Sequence, residues 1–156
     1  MIRSLLSLVV LIGLLAVTGC SRGQALNAID VEFVHPDGSK TGPVALEVAS
    51  TDGERMKGLM YRREMGRDQG MIFIFPRTEI HSFWMKNTYL SLDMIFLDES
   101  LSVVGVLDHV PPLNEQARSV GKAGRYVIEL NAGRAAELKI VPGTQAKPLS
   151  ILPKGA

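Results

Sequence analysis

Short apolar runs separated by turn-forming residues dominate the chain from Ile29 onward. Runs of about four to eight apolar or alternating residues, bounded by Gly, Pro, Asn or Asp, are typical of strands. The pattern predicts strands at 29–34, 43–48, 70–75, 81–88, 92–97, 101–107, 125–130 and 147–152. It indicates an α+β fold that is mostly β, with an antiparallel sheet whose closure into a barrel-like form the sequence leaves open.

Two short helices are expected between the strands. Thr51-Asp52-Gly53-Glu54 has the form of a capping box, in which the Thr hydroxyl and the Glu carboxylate bond free amides of a first helical turn. Met56, Leu59 and Met60 then follow at the i, i+3, i+4 spacing of an apolar helix face. Asn131 can cap a second helix over 132–138. We expect one globular domain over 29–152, because a chain of about 130 residues buries a single core.

The first 19 residues have the three parts of an export signal. Arg3 precedes an apolar run over 5–17, and small residues follow it. This run is shorter than the ~20 apolar residues of a bilayer span and lacks charged flanks on both sides. The block Val17-Thr18-Gly19-Cys20 resembles the lipobox of bacterial lipoproteins, which is cleaved before a lipid-bearing cysteine. We therefore expect a signal peptide over 1–19, a lipidated, palmitate-bearing Cys20 and a tether over 20–28.

Cys20 is the only cysteine, so it cannot form an internal disulfide, and an unpaired exported thiol would be reactive. A plain secretory signal and a simple N-terminal anchor are the alternatives. More than one acyl chain gives durable attachment, so the membrane is the first expected partner. By resemblance to enterobacterial lipoproteins, the absence of Asp after the cysteine, where Ser21 stands, favours the outer membrane. The expected location is the bacterial cell envelope, facing the periplasm.

The charge balance excludes one class of partner. One of the 17 basic residues, Arg3, and none of the 16 acidic ones lies in the signal, so the remaining chain has a formal charge of zero. Nucleic-acid binding needs clustered basic residues. An exported domain would also not meet nucleic acid, so no nucleic-acid partner is expected. No phosphate-cradling loop, dinucleotide fingerprint or His-Glu-x-x-His motif is present, so we expect no cofactor and no metal. The methionines suggest a Cu(I) site, because thioethers bind this ion. We prefer the interpretation that most of them fill gaps in the apolar core.

Five sequence blocks resemble one known family. They are Gly58 to Arg62, Gly70 to Phe75, Phe83 to Thr88, Leu92 to Asp98 and Val127 to Gly133. In this order they resemble the prokaryotic family called domain of unknown function 192, over about 44–144. The resemblance implies a mostly β domain with short helices, often exported, and supplies no reaction. Ser91 departs from the family, in which many members have Pro before the Leu-Asp pair.

The candidate site centres on the block from Phe83 to Thr88. In a strand, Trp84 and Lys86 would face one side while Asn87 faces the other. Polar residues in an otherwise apolar region suggest either a buried ion pair or the floor of a pocket. Asp93 and Glu129 interrupt apolar runs and are the natural counter-charges for Lys86, and Arg62 could join them. The candidate ligand-binding residues are Arg62, Trp84, Lys86, Asn87, Asp93 and Glu129.

Several interpretations of this cluster remain open. In the structural one, which we slightly prefer, Lys86 pairs with Asp93 or Glu129 and Asn87 satisfies a turn. In the binding one, the cluster and an exposed Trp84 ring take up a carbohydrate or another polar envelope molecule. Two carboxylates in unlike environments also suggest an enzyme acting on an envelope polysaccharide. The expected function is a membrane-anchored binding or accessory module, with that enzyme or a structural partner of an envelope complex as the alternatives.

Overall fold

A computed structural model describes residues 27–156 of the chain. The signal peptide, Cys20 and most of the predicted tether lie outside the described residues. The elements in chain order are β1 (Ala28–Val34), β2 (Val44–Ala49), α1 (Asp52–Lys57), β3 (Gln69–Ile80), β4 (Leu92–Leu97), β5 (Val103–Val110), β6 (Ala123–Asn131), α2 (Arg134–Glu137) and β7 (Gln145–Pro148). Within this range no helix has the length and apolar content needed to cross a bilayer.

The strands form one seven-stranded sheet in the order β5-β4-β6-β3-β2-β1-β7. The pair β2 and β3 is parallel and is connected through α1, as a parallel pair requires a crossover. The other pairs are antiparallel. The sheet curls into a half-barrel, and its two edge regions meet through an isolated bridge between Ser102 and Gln145. The mostly β fold with two short helices is therefore confirmed. The sheet is not purely antiparallel, because β2 and β3 are parallel.

Each face of the sheet carries its own apolar core. Along β4 and β6 side chains alternate between the faces, because successive residues of a strand point in opposite directions. One core contains Ile95 and Ile128 and is covered by α2 and the chain after it. The other contains Phe96 and Val127 and is covered by Leu59, Met85 and neighbouring loops. Because both faces of the sheet are buried, the sequences of β4 and β6 are almost continuously apolar.

The capping box is confirmed in α1. The Glu54 amide donates to the Thr51 hydroxyl, and the Glu54 carboxylate accepts from the Thr51 amide at 2.9 Å. The predicted apolar face is only partly right, because Leu59 is buried while Met56 is 73% exposed. The helix ends at Gly58, whose φ of 46° and close approach to the Phe73 ring both favour a residue without a Cβ atom.

Three sequence predictions are wrong in detail. The segment 81–88 is not a strand; it makes one isolated bridge, from Phe83 to Arg118, and then turns at Lys86 and Asn87. Asn131 does not cap α2, whose N-cap is Gly133; the Asn131 amide donates instead to the carbonyls of Met65 and Gly66. The last strand covers Gln145–Pro148 rather than 147–152.

Candidate functional site

A cleft of about 250 Å³ lies on the side of the sheet that carries the second, phenylalanine-rich core. Its floor comes from β3 and β6, which contribute Phe73 and Glu129. One wall is the end of α1 with the turn after it, and the other is the segment 81–84. Trp84, which is 47% exposed, stands at the mouth. We call this space the Glu129 cleft.

Glu129 is a buried acid without a partner. It lies on β6 directly between Met71 of β3 and Met94 of β4, and only 4% of it is exposed. Its carboxyl makes no hydrogen bond and no ion pair with any described residue. Burial away from water penalises the ionised form and raises the pKa of Glu129 to about 8. The carboxyl is therefore mostly protonated at neutral pH, and Glu129 is one of the residues that line the cleft.

Aromatic rings form much of the cleft surface. The Phe83 ring stands edge-on to Phe73, with ring centroids 5.1 Å apart, and edge-on to Phe75 at 6.2 Å. Phe83 also touches Phe96 in the same geometry at 5.9 Å, which anchors the segment 81–84 on the core. Such edge-to-face contacts fix ring orientations. The cleft thus combines a rigid apolar wall with a single titratable group at its floor.

The basic side chains that line the cleft near β3 are already engaged. The His81 ring stacks on Phe75 with centroids 3.6 Å apart, and its Nε2 lies 3.0 Å from the Gly124 carbonyl oxygen. Burial lowers the pKa of His81 below its ordinary value, so this ring is neutral at neutral pH. The Arg55 guanidinium donates to the Ile74 carbonyl at 2.7 Å. Neither side chain bonds to Glu129.

A contact between two loops holds the rim of the cleft. The Tyr61 amide donates to the Asn87 carbonyl at 2.8 Å, and the Asn87 side-chain amide donates to the Tyr61 hydroxyl at 2.8 Å. Both residues have positive φ, 64° and 53°. A non-glycine residue in this region is strained, and it persists where surrounding bonds hold it. These paired bonds join the turn after α1 to the loop that contains Lys86.

The structure divides the predicted site residues into separate groups. Trp84 and Glu129 line the cleft together, and the Lys86 ammonium lies 5.1 Å from the centroid of the Trp84 ring. Arg62 instead pairs with Glu47 through two hydrogen bonds of 2.6 and 2.9 Å. The predicted ion pair of Lys86 with Asp93 or Glu129 is wrong, because within residues 27–156 neither carboxylate lies within ion-pairing distance of Lys86. Asn87 does occupy a turn, as the structural interpretation expected.

Asp93 lies on the opposite face of the sheet from Glu129. It pairs in register with Leu130, whereas Met94 pairs with Glu129. Its two carboxylate oxygens accept from the amides of His109, at 2.9 Å, and Ala135, at 2.8 Å, so it fixes β5 and the start of α2. Two carboxyls on opposite faces cannot act on one bond. The suggested acid–base pair is therefore wrong.

Sequence reasoning missed most of the cleft surface. Phe73 and Phe75 were assigned to a buried strand, and their spacing of two does indicate one shared face. The segment 81–88 was singled out, but nothing marked Phe83 or His81 as cleft residues, because their placement depends on the loop around Arg118. Met71, Met85 and Met94 are buried in the core, as expected. Among the described residues no group of three His, Cys, Asp or Glu side chains could hold a metal ion.

Comparison with known proteins places the chain in a family. Residues 33–147 match DUF192, described as an uncharacterized ACR. The chain belongs to the DUF192 family. A crystal structure from Sinorhizobium meliloti 1021, described as a proposed transcription regulator, is 33% identical and has a TM-score of 0.75; the match covers 80% of this chain and 95% of that one. A protein of unknown function from Novosphingobium aromaticivorans DSM 12444 is 32% identical with a TM-score of 0.71, covering 78% of this chain and 86% of that one. No curated protein matches the chain.

Proposed function

We propose that this DUF192 chain is a binding module of the bacterial cell envelope that takes a small polar ligand into the Glu129 cleft. One observation carries the proposal: a buried carboxyl without a partner faces an aromatic-lined cleft. An unpaired buried polar group costs free energy, and an apolar residue of similar volume would stabilise the fold more. Perturbed, unpaired titratable groups in clefts concentrate at functional sites.

The cleft favours a ligand with two kinds of surface. Phe73, Phe83 and Trp84 offer apolar contact, and Glu129 offers one strong hydrogen-bonding group. Sugars have this combination, since their apolar ring faces stack on aromatic rings while their polar groups form hydrogen bonds. A carbohydrate or another small polar molecule of the envelope is therefore the ligand class that we propose.

Trp84 makes the proposal easy to test, because it is the only tryptophan and stands at the cleft mouth. The fluorescence of Trp84 is titrated with glucose, glucosamine, N-acetylglucosamine and choline. We expect a saturable change with at least one of them, weakened at least about tenfold in Glu129→Leu. The exposed Glu99 provides the matched control Glu99→Leu, which should bind as the wild type does. Absence of any saturable change, or equal binding by Glu129→Leu, would show the proposal to be wrong.

We also propose the lipid anchor at Cys20 and the envelope location. Eight residues of extended tether reach less than about 30 Å, so the domain would lie close to the membrane surface. Metabolic labelling with a fatty-acid analogue should mark the wild type and not Cys20→Ala, and the variant should leave the membrane fraction. Density separation of the two membranes should place the wild type in the outer one. Equal labelling of both proteins would contradict lipidation.

Other roles find less support. The enzyme interpretation rested on Asp93 and Glu129 acting together, which their opposite faces prevent. The regulator description of the Sinorhizobium protein is not carried over, because basic and acidic residues balance in this chain. In addition, α2 has four residues, too few to read a DNA groove. A purely structural partner would leave the cleft without a ligand, and the fluorescence titration separates that outcome from ours.

A further inference from the structure

We propose that the ligand group seated against Glu129 is an ammonium group, so that a ligand enters the cleft with its positively charged end first. This inference rests on the proposed binding function and specifies its chemistry. It follows from the charges around the carboxyl, from the aromatic surface, and from a contact already present at the rim.

Glu129 has no counter-charge among the described residues. The sheet neighbours of Glu129 are the uncharged Met71 and Met94. The titratable and charged groups that line the cleft with it are Arg55 and Lys57 from α1, and His81 after β3. None of them pairs with Glu129 among the described residues. A ligand cation would supply the partner that a buried carboxylate requires, whereas a neutral hydroxyl would leave the carboxyl protonated.

Aromatic side chains line the cleft together with Glu129. They are Phe73, Phe83 and Trp84, and the faces of such rings attract cations. The rim already shows this attraction, because the Lys86 ammonium lies 5.1 Å from the Trp84 ring centroid. An aromatic enclosure with an acid at its floor is the arrangement that binds alkylammonium groups.

The basic residues that line the cleft with Glu129 limit the charge that the outer end of the ligand can carry. Arg55 is engaged by backbone carbonyls, and Lys57 is exposed at the end of α1. A ligand with a second positive charge would be repelled at this rim, whereas one with a neutral or anionic outer part would not. Small aminoalcohols, amino sugars and their phosphate esters have this polarity. Choline is the simplest probe, because its quaternary nitrogen cannot lose a proton.

The ammonium assignment predicts a specific pH dependence. In the empty cleft the Glu129 carboxyl holds a proton below about pH 8. Choline requires the ionised form, so its binding would expel that proton. The choline affinity should then rise about tenfold from about pH 6 to 7 and about fivefold from about pH 7 to 8, and level off above that. A neutral ligand of the same shape should show no such rise.

Calorimetric titration of the full chain tests this inference. The probes are choline and dimethylbutanol, in which a carbon atom replaces the ammonium nitrogen, each at about pH 6, 7, 8 and 9. We expect choline to bind the wild type and Glu99→Gln with the stated pH rise. Glu129→Gln keeps the hydrogen-bonding amide and removes the charge; it should lose the rise and bind choline at least about tenfold more weakly at about pH 8. Dimethylbutanol should bind weakly and equally at every pH.

The outcomes distinguish this inference from the proposed function. Dimethylbutanol or a neutral sugar binding as well as choline, without pH dependence but with loss in Glu129→Leu, would overturn the ammonium assignment and leave the cleft as a binding site. Choline binding that is the same in Glu129→Gln would also overturn it. If no probe binds and no sugar changes the Trp84 fluorescence, both proposals are wrong.

Discussion

Replacing Glu129 by Gln should change how the stability of the fold depends on pH. The folded chain holds the Glu129 proton up to about pH 8, whereas the unfolded chain releases it near the ordinary value of 4.5. Between these values the folded state binds more protons than the unfolded state, so the free energy of unfolding falls as pH rises. Glutamine does not titrate, and Glu129→Gln should lack this component.

The magnitude follows from the two pKa values. A difference of about 3.5 pKa units, at about 1.4 kcal/mol per unit, amounts to about 5 kcal/mol of stability over the whole titration, of which about 4 kcal/mol is lost by about pH 8. About 3 kcal/mol of this is already lost at about pH 7. Glu129 is 4% exposed, so solvent screening reduces the effect little. Relative to Glu129→Gln, the wild type should lose about 1 kcal/mol per pH unit from about pH 5 to 8.

Urea unfolding of the full chain at about pH 5, 6, 7 and 8 measures this effect. The readout is the difference between wild type and variant at each pH, because histidines such as His81 titrate in both and cancel. The exposed Glu99 gives the control Glu99→Gln, whose difference from the wild type should stay near zero. Parallel stability profiles for the wild type and Glu129→Gln would refute the reasoning, since they would mean that the carboxyl is hydrated or paired in the folded chain.

The remaining predictions concern the residues that position the cleft and the sheet. Asp93→Asn should cost about 3 kcal/mol in urea unfolding, because its NH2 group would face one of the two N–H groups that now bond separate carboxylate oxygens; exposed Asp108→Asn should cost almost nothing. Asn87 has a φ of 53°, so Asn87→Ala should lower the free energy of unfolding by about 1 kcal/mol more than Asn87→Gly does. Equal losses in the two variants would show that the backbone is not strained at this residue. Gly70→Ala should destabilise by more than about 2 kcal/mol, because its Cβ would clash with the backbone carbonyl oxygen of Glu129 and would also lie 2.6 Å from the Leu130 Cδ2 atom; Gly53→Ala meets no atom within 4 Å and should stabilise α1.

Local patterns predicted much of the fold. The apolar or alternating patterns of 29–34 and 92–97 are sufficient to predict strands there. The observed strands β1 and β4 match these ranges to within a residue. The Thr51 to Glu54 box likewise contains its own hydrogen bonds, so α1 was predictable. The parallel pairing of β2 with β3 was not, because it depends on the path of the crossover rather than on either strand.

The segment 81–88 shows where alternation misleads. Phe83 and Met85 do face the core, and Trp84 is exposed, as a strand would place them. The backbone, however, bonds to loop residues around Asn114 and Arg118 and then turns at Asn87. Alternating burial thus arose from one-sided packing of a loop. No local feature distinguishes that from an edge strand.

The candidate site was predictable in its residue types and not in its grouping. Asp93 and Glu129 both interrupt apolar runs, and both faces of their strands are buried, so the sequence offered no sign of which face each carboxyl occupies. The difference comes from partners far along the chain. Asp93 meets the amides of His109 and Ala135, while Glu129 meets only the cleft. Register between strands, which decides this, is set by the whole sheet.

Both proposals depend on Glu129 being an unpaired buried acid that lines the cleft. Carbon NMR of the full chain with labelled glutamate, with the Glu129 signal assigned by its loss in Glu129→Gln, measures the pKa of this carboxyl directly. The account predicts a midpoint of about 8 in the free protein and a lower one when choline is added. A free-protein midpoint near the ordinary 4.5 would contradict the account, because it would show that the carboxyl already has water or a cation as its partner.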